Sequence, residues 1–392
     1  MIRNILTGSV LALALTTLPA TASDPVKVGM ITTLSGGGSS LGIDVRDGFM
    51  LAVEQGDGAL GGVPVEVLIE DDGRDVGRSI QIAQRMMQRE RVEIFTGIIW
   101  SNLALAAVPR ILREDALYIS PNAGPAELAG EQCHPGYFNV AWQNDNLHEA
   151  MGQFVTDEGH DDVYLVAPNY PAGRDALAGF KRFYEGNVAG EVYTSLGQQD
   201  YASELATLRD ADPDAVFFFL PGGMGINFLK QYAQAGLKGD IPLYGPAFSF
   251  DEGILSAVGD AALGVRNSSQ WSPDLDNAAN RKFVEAFQAR YERRPSLYAS
   301  QGYDAARLLG SALAKVDGEI DDREALYAAL READFDSVRG DFRFNSNQHP
   351  IQDIYVREVF RTEDGTLSNR IVDRAFSDRG DAYAGDCQLA SD

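Results

Sequence analysis

The sequence predicts an α/β protein built from two doubly wound parallel-sheet lobes. Three observations lead there. Short apolar runs alternate with segments whose apolar residues recur at helical spacing, the signature of parallel strands covered by helices on both faces. The alternation breaks off and restarts after residue 145. A chain of 392 residues is also too long for one small core and suits two.

Taken in order, "VKVGMITTLS" (26–35) reads as a buried strand, apolar until it ends in turn residues. "LGIDVRDGFMLAVEQ" (41–55) carries Leu41, Val45, Phe49 and Ala52 at helical spacing. "VPVEVLIEDD" (63–72) alternates as a strand, and "GRSIQIAQRMMQRE" (77–90) is helical. A strand over 92–99, a helix over 101–114 and a strand over 116–120 complete the first run. In the second run, helices are predicted over 149–159, 172–186 and 226–237, and strands over 161–169, 214–222 and 241–248. A later block, 277–316, is helical with no strands around it, so it must pack on a lobe already built.

The formal net charge is −24. Nucleic acid and an anionic membrane surface would both be repelled, so neither is expected as a partner. The charge fits a soluble protein kept monomeric by self-repulsion. The first residues read as a targeting segment: Arg3 gives a positive start, Leu6 to Leu18 is a short apolar stretch, and Ala20-Thr21-Ala22 has the form of a cleavage site. A cleaved secretory signal peptide over 1–23 is expected, with a cytosolic N-terminal helix as the alternative. No Cys stands at the cleavage point to carry a lipid, and no later run is apolar enough to span a bilayer.

In an oxidising compartment the two cysteines, Cys133 and Cys387, suggest one disulfide tying the far C-terminus to the middle of the chain. Two free thiols are the alternative. His134, His148, His160 and His349 form no ligand pattern, so no metal is expected.

In open α/β sheets, ligands bind beyond the carboxyl ends of strands, beside helix N-termini. The informative segments are therefore 34–42, 97–102, 120–125, 167–175, 220–225 and 244–252. The Gly-rich loop at 36–42 lacks the Lys-Ser/Thr of a phosphate-binding loop, and its glycines do not fit the dinucleotide pattern, so no cofactor is expected. There is no nucleophile elbow, zinc-protease motif or Ca²⁺ loop. Asp71-Asp72 and Asp161-Asp162 read as solvated strand ends. Junctions rich in Ser, Asn, Gly and aromatics fit binding rather than catalysis.

"VKVGMITTLSG", "RDGFMLAVE", "GGVPVEVLIEDD" and "SPNAGPAEL" with "CHPGYFNVAWQND" resemble periplasmic binding proteins of the branched-chain-amino-acid type. So do "FLKQYAQAGLKGDIPLYGP", "AVGDAALGV", "SPDLDNAANRKFVEAFQARY" and "YASQGYDAARLL". The resemblance covers nearly all of the chain beyond its leader. It implies two lobes joined by three crossovers, with a solute in the cleft that is delivered to an inner-membrane ABC permease. It places 24–143 plus 272–345 in the first lobe and 144–271 plus 346–392 in the second, with hinges near 143–146, 266–272 and 344–351.

The resemblance also implies where a ligand carboxylate is held: by Ser101 at a helix start and by Asn122, Ala123 and Gly124 after the next strand. Backbone amides at a helix N-terminus favour an anion, and small residues let it approach. Taken singly, Ser101 reads as a plain N-cap and Asn122 as a turn residue. Ser40 and Leu41, at the end of the Gly-rich loop, are further candidate contacts. Amino-acid binders of this type meet the ligand ammonium with an acid just after a second-lobe Gly-Pro. Here that stretch is "YGPAFSF", with Ala247 and Phe248 in that place. A buried ammonium without a counter-charge is costly. Trp100, Tyr170, Pro221 and Phe248 suggest an apolar, partly aromatic wall instead. "WQND" (142–145) and "FLPGG" resemble the branch that takes aromatic carboxylates, although Trp142 reads equally as core.

The expected ligand is an aromatic or otherwise ammonium-free carboxylate, with branched-chain amino acids or amides as the alternative. A modest shift of alignment would bring in Asp251 or Glu252 and restore amino-acid binding. The rival reading is a periplasmic sensor module; an enzyme is not expected, for want of a nucleophile, base or metal cluster. With the chain ending at Asp392 and no transmembrane or signalling segment in it, transport delivery is the expected role.

Overall fold

The computed structural model describes residues 24–389, so the leader expected over 1–23 lies outside the described residues. The first lobe is laid down by β1 (Val26–Thr32), α1 (Ser39–Gln55), β2 (Ala59–Leu60), β3 (Val63–Asp71), α2 (Val76–Arg85), β4 (Ile94–Thr96), α3 (Ser101–Arg113), β5 (Leu117–Ser120), α4 (Ala126–Ala129) and β6 (Tyr137–Asn139). Its sheet runs β2-β3-β1-β4-β5-β6, and every pair is parallel except the short β2–β3 hairpin. β1, β4 and β5 are almost wholly buried, which is why they read as apolar runs.

The second lobe begins with α5 (Asn146–Asp157), β7 (Asp162–Pro168), α6 (Pro171–Phe183), β8 (Asn187–Thr194), α7 (Ala202–Ala211), β9 (Ala215–Phe218), α8 (Gly223–Gln234), β10 (Leu243–Pro246), α9 (Glu252–Val258) and β11 (Arg266–Ser269). Helices α10 (Ala278–Tyr291), α11 (Leu297–Lys315) and α12 (Arg323–Arg331) then return to the first lobe. Strands β12 (Arg343–Phe344), β13 (Pro350–Arg361) and β14 (Leu367–Arg379) go back to the second sheet. The chain thus passes between the lobes three times.

The second sheet runs β12-β13-β11-β10-β9-β7-β8, with β14 paired to β13. It is a parallel sheet extended by antiparallel strands at one side. β7 to β11 are parallel, but β13 runs antiparallel to β11, β12 and β14. The hairpin escaped prediction because β14 lies at an edge, where only Ser368 and Asn369 are buried, so no apolar run marks it. The edge strand β8 escaped for the same reason.

The block at 277–316 is two helices. Glu292, with φ 55°, ends α10, and Pro295 precedes α11. α11 lies against α1 so closely that glycines are required at the crossing. A Cβ on Gly48 would stand 1.9 Å from the Ala299 carbonyl oxygen, and one on Gly302 would stand 2.1 Å from that of Val45. The helix expected over 77–90 is α-helical to Arg85 and closes in one π turn, Met86–Glu90. The strand expected over 92–99 spans three residues, and 97–100 form the loop that turns Trp100 towards the second lobe.

Asp72 is not a solvated strand end. It is buried, and accepts hydrogen bonds from Thr33 Oγ1 and the Arg74 amide, both at 2.7 Å. Cys133 and Cys387 are bonded. Around that bond the tail lies against the first lobe, where a Cβ on Gly130 would stand 3.4 Å from the Asp386 Cβ and 3.5 Å from that of Tyr383. Two buried carboxylates at the start of α5 hold the tail as well. Asp145 accepts from Arg182 at 2.8 Å and from the Tyr383 hydroxyl at 2.9 Å, while Glu149 pairs with Arg379 at 2.7 Å. No helix among the described residues is long and apolar enough to cross a membrane.

Candidate functional site: a cavity between the lobes

A cavity lies where the carboxyl ends of β4 and β5 face those of β7, β9 and β10. The first lobe contributes Leu41 from α1, Ile99 to Ser101 at the start of α3, Asn122 and Ala123 after β5, and Tyr298 from the first turn of α11. The second contributes Tyr170, Ala172, Phe219, Pro221 and Phe248. The first crossover and α5 supply Trp142, Asn144 and His148.

Of the ten candidates, eight line this cavity: Leu41, Trp100, Ser101, Asn122, Ala123, Tyr170, Pro221 and Phe248. Ser40 and Gly124 do not. Ser40 is half-buried in the first turn of α1. Gly124 lies behind the wall, where its amide donates to Asn144 Oδ1 at 3.1 Å and a Cβ would stand 2.1 Å from the Trp142 carbonyl oxygen.

Ile99, Asn144, His148, Ala172, Phe219 and Tyr298 were not among the candidates, and Trp142, left open between core and site, is on the wall. Asn144 and His148 are carried by a crossover and the helix after it, not by a strand-to-helix junction. Their four-residue spacing, with Asn144 just ahead of α5 and His148 in its first turn, was the available signal.

One pole of the cavity is polar and made of small groups. Trp100 caps α3 with extended backbone (φ −97°, ψ 130°), and its carbonyl accepts from the Leu103 amide at 3.0 Å, so the Ser101 and Asn102 amides are the ones without an intrahelical acceptor. The Ser101 hydroxyl accepts from Asn144 Nδ2 at 3.1 Å, leaving its own proton free. The next loop is pinned by the Ala123 carbonyl, which accepts from Ser120 Oγ at 2.7 Å, Tyr137 Oη at 3.0 Å and Asn139 Nδ2 at 3.2 Å. Asn122 Nδ2 donates to the Ile99 carbonyl at 2.7 Å.

The rest of the wall is apolar and mostly aromatic, with Leu41, Ile99, Ala172 and Pro221 between the rings. Trp142 packs on Phe248 with ring centroids 4.7 Å apart, Phe248 on Phe219 at 5.4 Å, and Tyr170 stacks on Phe219 at 6.3 Å. Trp100 is oriented by Nε1 donating to Thr33 Oγ1 at 3.0 Å.

No Asp, Glu, Lys or Arg is on the wall. Asp251 and Glu252, the two acids that would restore an ammonium site, are engaged elsewhere. Asp251 accepts from the Leu297 amide at 2.9 Å, and Glu252 accepts from the amide and side chain of Asn369, both at 2.9 Å. Behind the polar pole, Asn144 Nδ2 also donates to Asp175 Oδ2 at 2.9 Å. Burial, then the charge of Asp145, raises the Asp175 carboxyl to about 7. Burial lowers His148 to about 3.

The sequence model of the periplasmic binding protein family matches residues 25–366. This chain belongs to that family. Among solved structures, this binding protein is 31% identical to an ABC-transporter solute-binding protein from R. palustris in complex with benzoate. The TM-score is 0.88, over 93% of this chain and 100% of that one. It is 29% identical to a solute-binding protein of an ABC transporter from Rhodopseudomonas palustris BisB5 in complex with 3,4-dihydroxybenzoic acid. There the TM-score is 0.84, over 92% of this chain and 99% of that one. Among curated relatives it is 28% identical to Leu/Ile/Val-binding protein homolog 6 of Brucella melitensis, over 94% of this chain and 97% of the relative.

Proposed function

We propose that this protein is the periplasmic solute-binding component of an ABC importer. It captures a small aromatic carboxylate between its lobes and delivers it to an inner-membrane permease, without chemistry of its own. One observation carries the ligand class: an aromatic cage with no acidic side chain on its wall, closed at one end by a helix N-terminus and the free Ser101 proton. An α-amino acid entering it would bury an ammonium without a counter-charge. A carboxylate would meet amide dipoles and a hydroxyl donor at Ser101. The solute-binding proteins in complex with benzoate and 3,4-dihydroxybenzoic acid support this reading over the Leu/Ile/Val name of the Brucella relatives. The ligand-binding role of Ser101, Asn122, Ala123, Trp100, Tyr170, Pro221 and Phe248 belongs to the same proposal, with Leu41 as apolar wall.

Closure is a hinge motion about the crossovers, driven by the ligand's greater affinity for the shut form, which the permease recognises. The test is a thermal-shift and calorimetric panel of benzoates, phenylpropanoid acids, leucine, valine and amides on the purified protein. At a hundredfold excess over Kd, a ligand of the folded state adds about 2.7 kcal/mol. A shift with aromatic acids and none with amino acids is expected. A shift with leucine alone would refute the ligand class and leave the fold untouched.

A further inference from the structure

The His148 ring stands among phenylalanines, edge-on to Phe219 at 5.0 Å and Phe217 at 5.9 Å, and 6.0 Å from Phe248. Its Nδ1 lies 2.7 Å from the Asn144 carbonyl oxygen, one turn back along the chain. A carbonyl oxygen can only accept, so Nδ1 carries the proton and Nε2 presents a bare lone pair. That nitrogen is buried without a protein partner, on a side chain that is 1% exposed and forms part of the cavity wall. Burial holds the ring neutral, so Nε2 stays an acceptor across the neutral range.

A buried acceptor left unpaired is costly, and native proteins rarely tolerate one without a use. The atom that meets Nε2 must donate a hydrogen bond. A carboxylate is excluded there, since two lone pairs would face each other. An ammonium is disfavoured because the wall offers no counter-charge. A neutral hydroxyl on an aromatic ring satisfies the nitrogen and keeps the ring against the phenylalanines.

We infer that His148 Nε2 accepts a hydrogen bond from a ring hydroxyl of the bound acid, so that the site selects hydroxylated benzoates over benzoate itself. This rests on the proposed binding of an aromatic carboxylate. His148 is then a specificity-determining residue, positioned by the Asn144 carbonyl. The same Asn144 positions the Ser101 hydroxyl with its side chain.

The experiment is calorimetry on the purified protein with benzoate, 3-hydroxybenzoate, 4-hydroxybenzoate, 3,4-dihydroxybenzoate, and the 3- and 4-fluorobenzoates. The fluoro analogues approximate the size of a hydroxyl without its proton. At least one hydroxylated acid should bind about tenfold or more tighter than benzoate and than the matching fluoro analogue. In His148→Phe that preference should vanish, so that whatever affinity remains is the same within about threefold for benzoate, the hydroxylated acids and the fluoro analogues. If benzoate binds the wild-type protein as tightly as every hydroxylated acid, or if the preference survives in His148→Phe, the inference is overturned and the aromatic-carboxylate reading stands. If no aromatic acid binds, both fall. The wild-type series alone decides the matter if the variant does not fold.

Discussion

Asn144 and Asp175 meet behind the polar pole of the cavity, with the amide Nδ2 of the crossover residue donating at 2.9 Å to the carboxylate on α6. The same nitrogen reaches the Ser101 hydroxyl of the first lobe at 3.1 Å. One side chain of the crossover therefore connects both lobes at the point where a ligand anion is proposed to sit.

Asp175 makes this junction sensitive to pH. Burial, then the Asp145 charge, lifts its carboxyl from 3.8 to about 7. Between those values the folded protein keeps a proton that the unfolded chain releases. The stability from this group is therefore full below about 4 and lost as pH rises through about 7. Asp175→Asn keeps an acceptor for Asn144 and removes the titration. Melting curves should show the wild-type protein gaining on the variant as pH falls from 8 to about 5, by an amount on the order of a few kcal/mol. Parallel pH profiles for the two proteins would refute this.

Ser101→Ala removes the hydroxyl proton at the proposed carboxylate pole. A hydrogen bond to a charged group contributes about 1.5–3 kcal/mol. Affinity for an aromatic acid should fall by that amount in calorimetry, while the ligand-free melting temperature changes little. An unchanged Kd would show that the carboxylate lies elsewhere.

Phe248→Glu restores an acid where amino-acid binders of this type are expected to carry one. A carboxylate against the Trp142 and Phe219 rings would oppose a second carboxylate in the ligand. Binding of aromatic acids should be lost at any concentration that saturates the wild-type protein. Retained binding would place the ligand away from Phe248.

The Cys133–Cys387 bond closes a loop of 254 residues. Restricting the unfolded chain over such a span is worth about 2–5 kcal/mol. Replacing both cysteines by serine should lower the melting temperature in scanning calorimetry. Reductant should lower that of the wild-type protein to the same value and leave the variant unmoved. A reductant-insensitive wild type would contradict the bond.

The interior strands and long helices were legible because their burial is imposed by the chain's own period. β1, β5 and β9 are covered on both faces and so are mostly apolar. β8 and β14 were not legible, because an edge strand needs no apolar run. Within the cavity, Ser101, Asn122, Tyr170 and Phe248 were marked by lying at strand ends, where α/β sheets bind ligands. His148 and Tyr298 had no such mark. Each lies on a helix whose neighbours are set by the path of a crossover or by the α1–α11 contact.

Sequence alone determined the two α/β lobes, the family, the strand-end residues and the lack of an acid beside Phe248, since each depends on local pattern or residue identity. Only the tertiary structure decided that Asp251 and Glu252 turn away from the cleft, that Trp142 faces it, and that His148, on the same wall, has an Nε2 with no protein partner. The physical reason is that a side chain's hydrogen-bond partners come from residues distant in sequence: Leu297 for Asp251, Asn369 for Glu252. Which atoms remain unpaired is known only once those partners are in place.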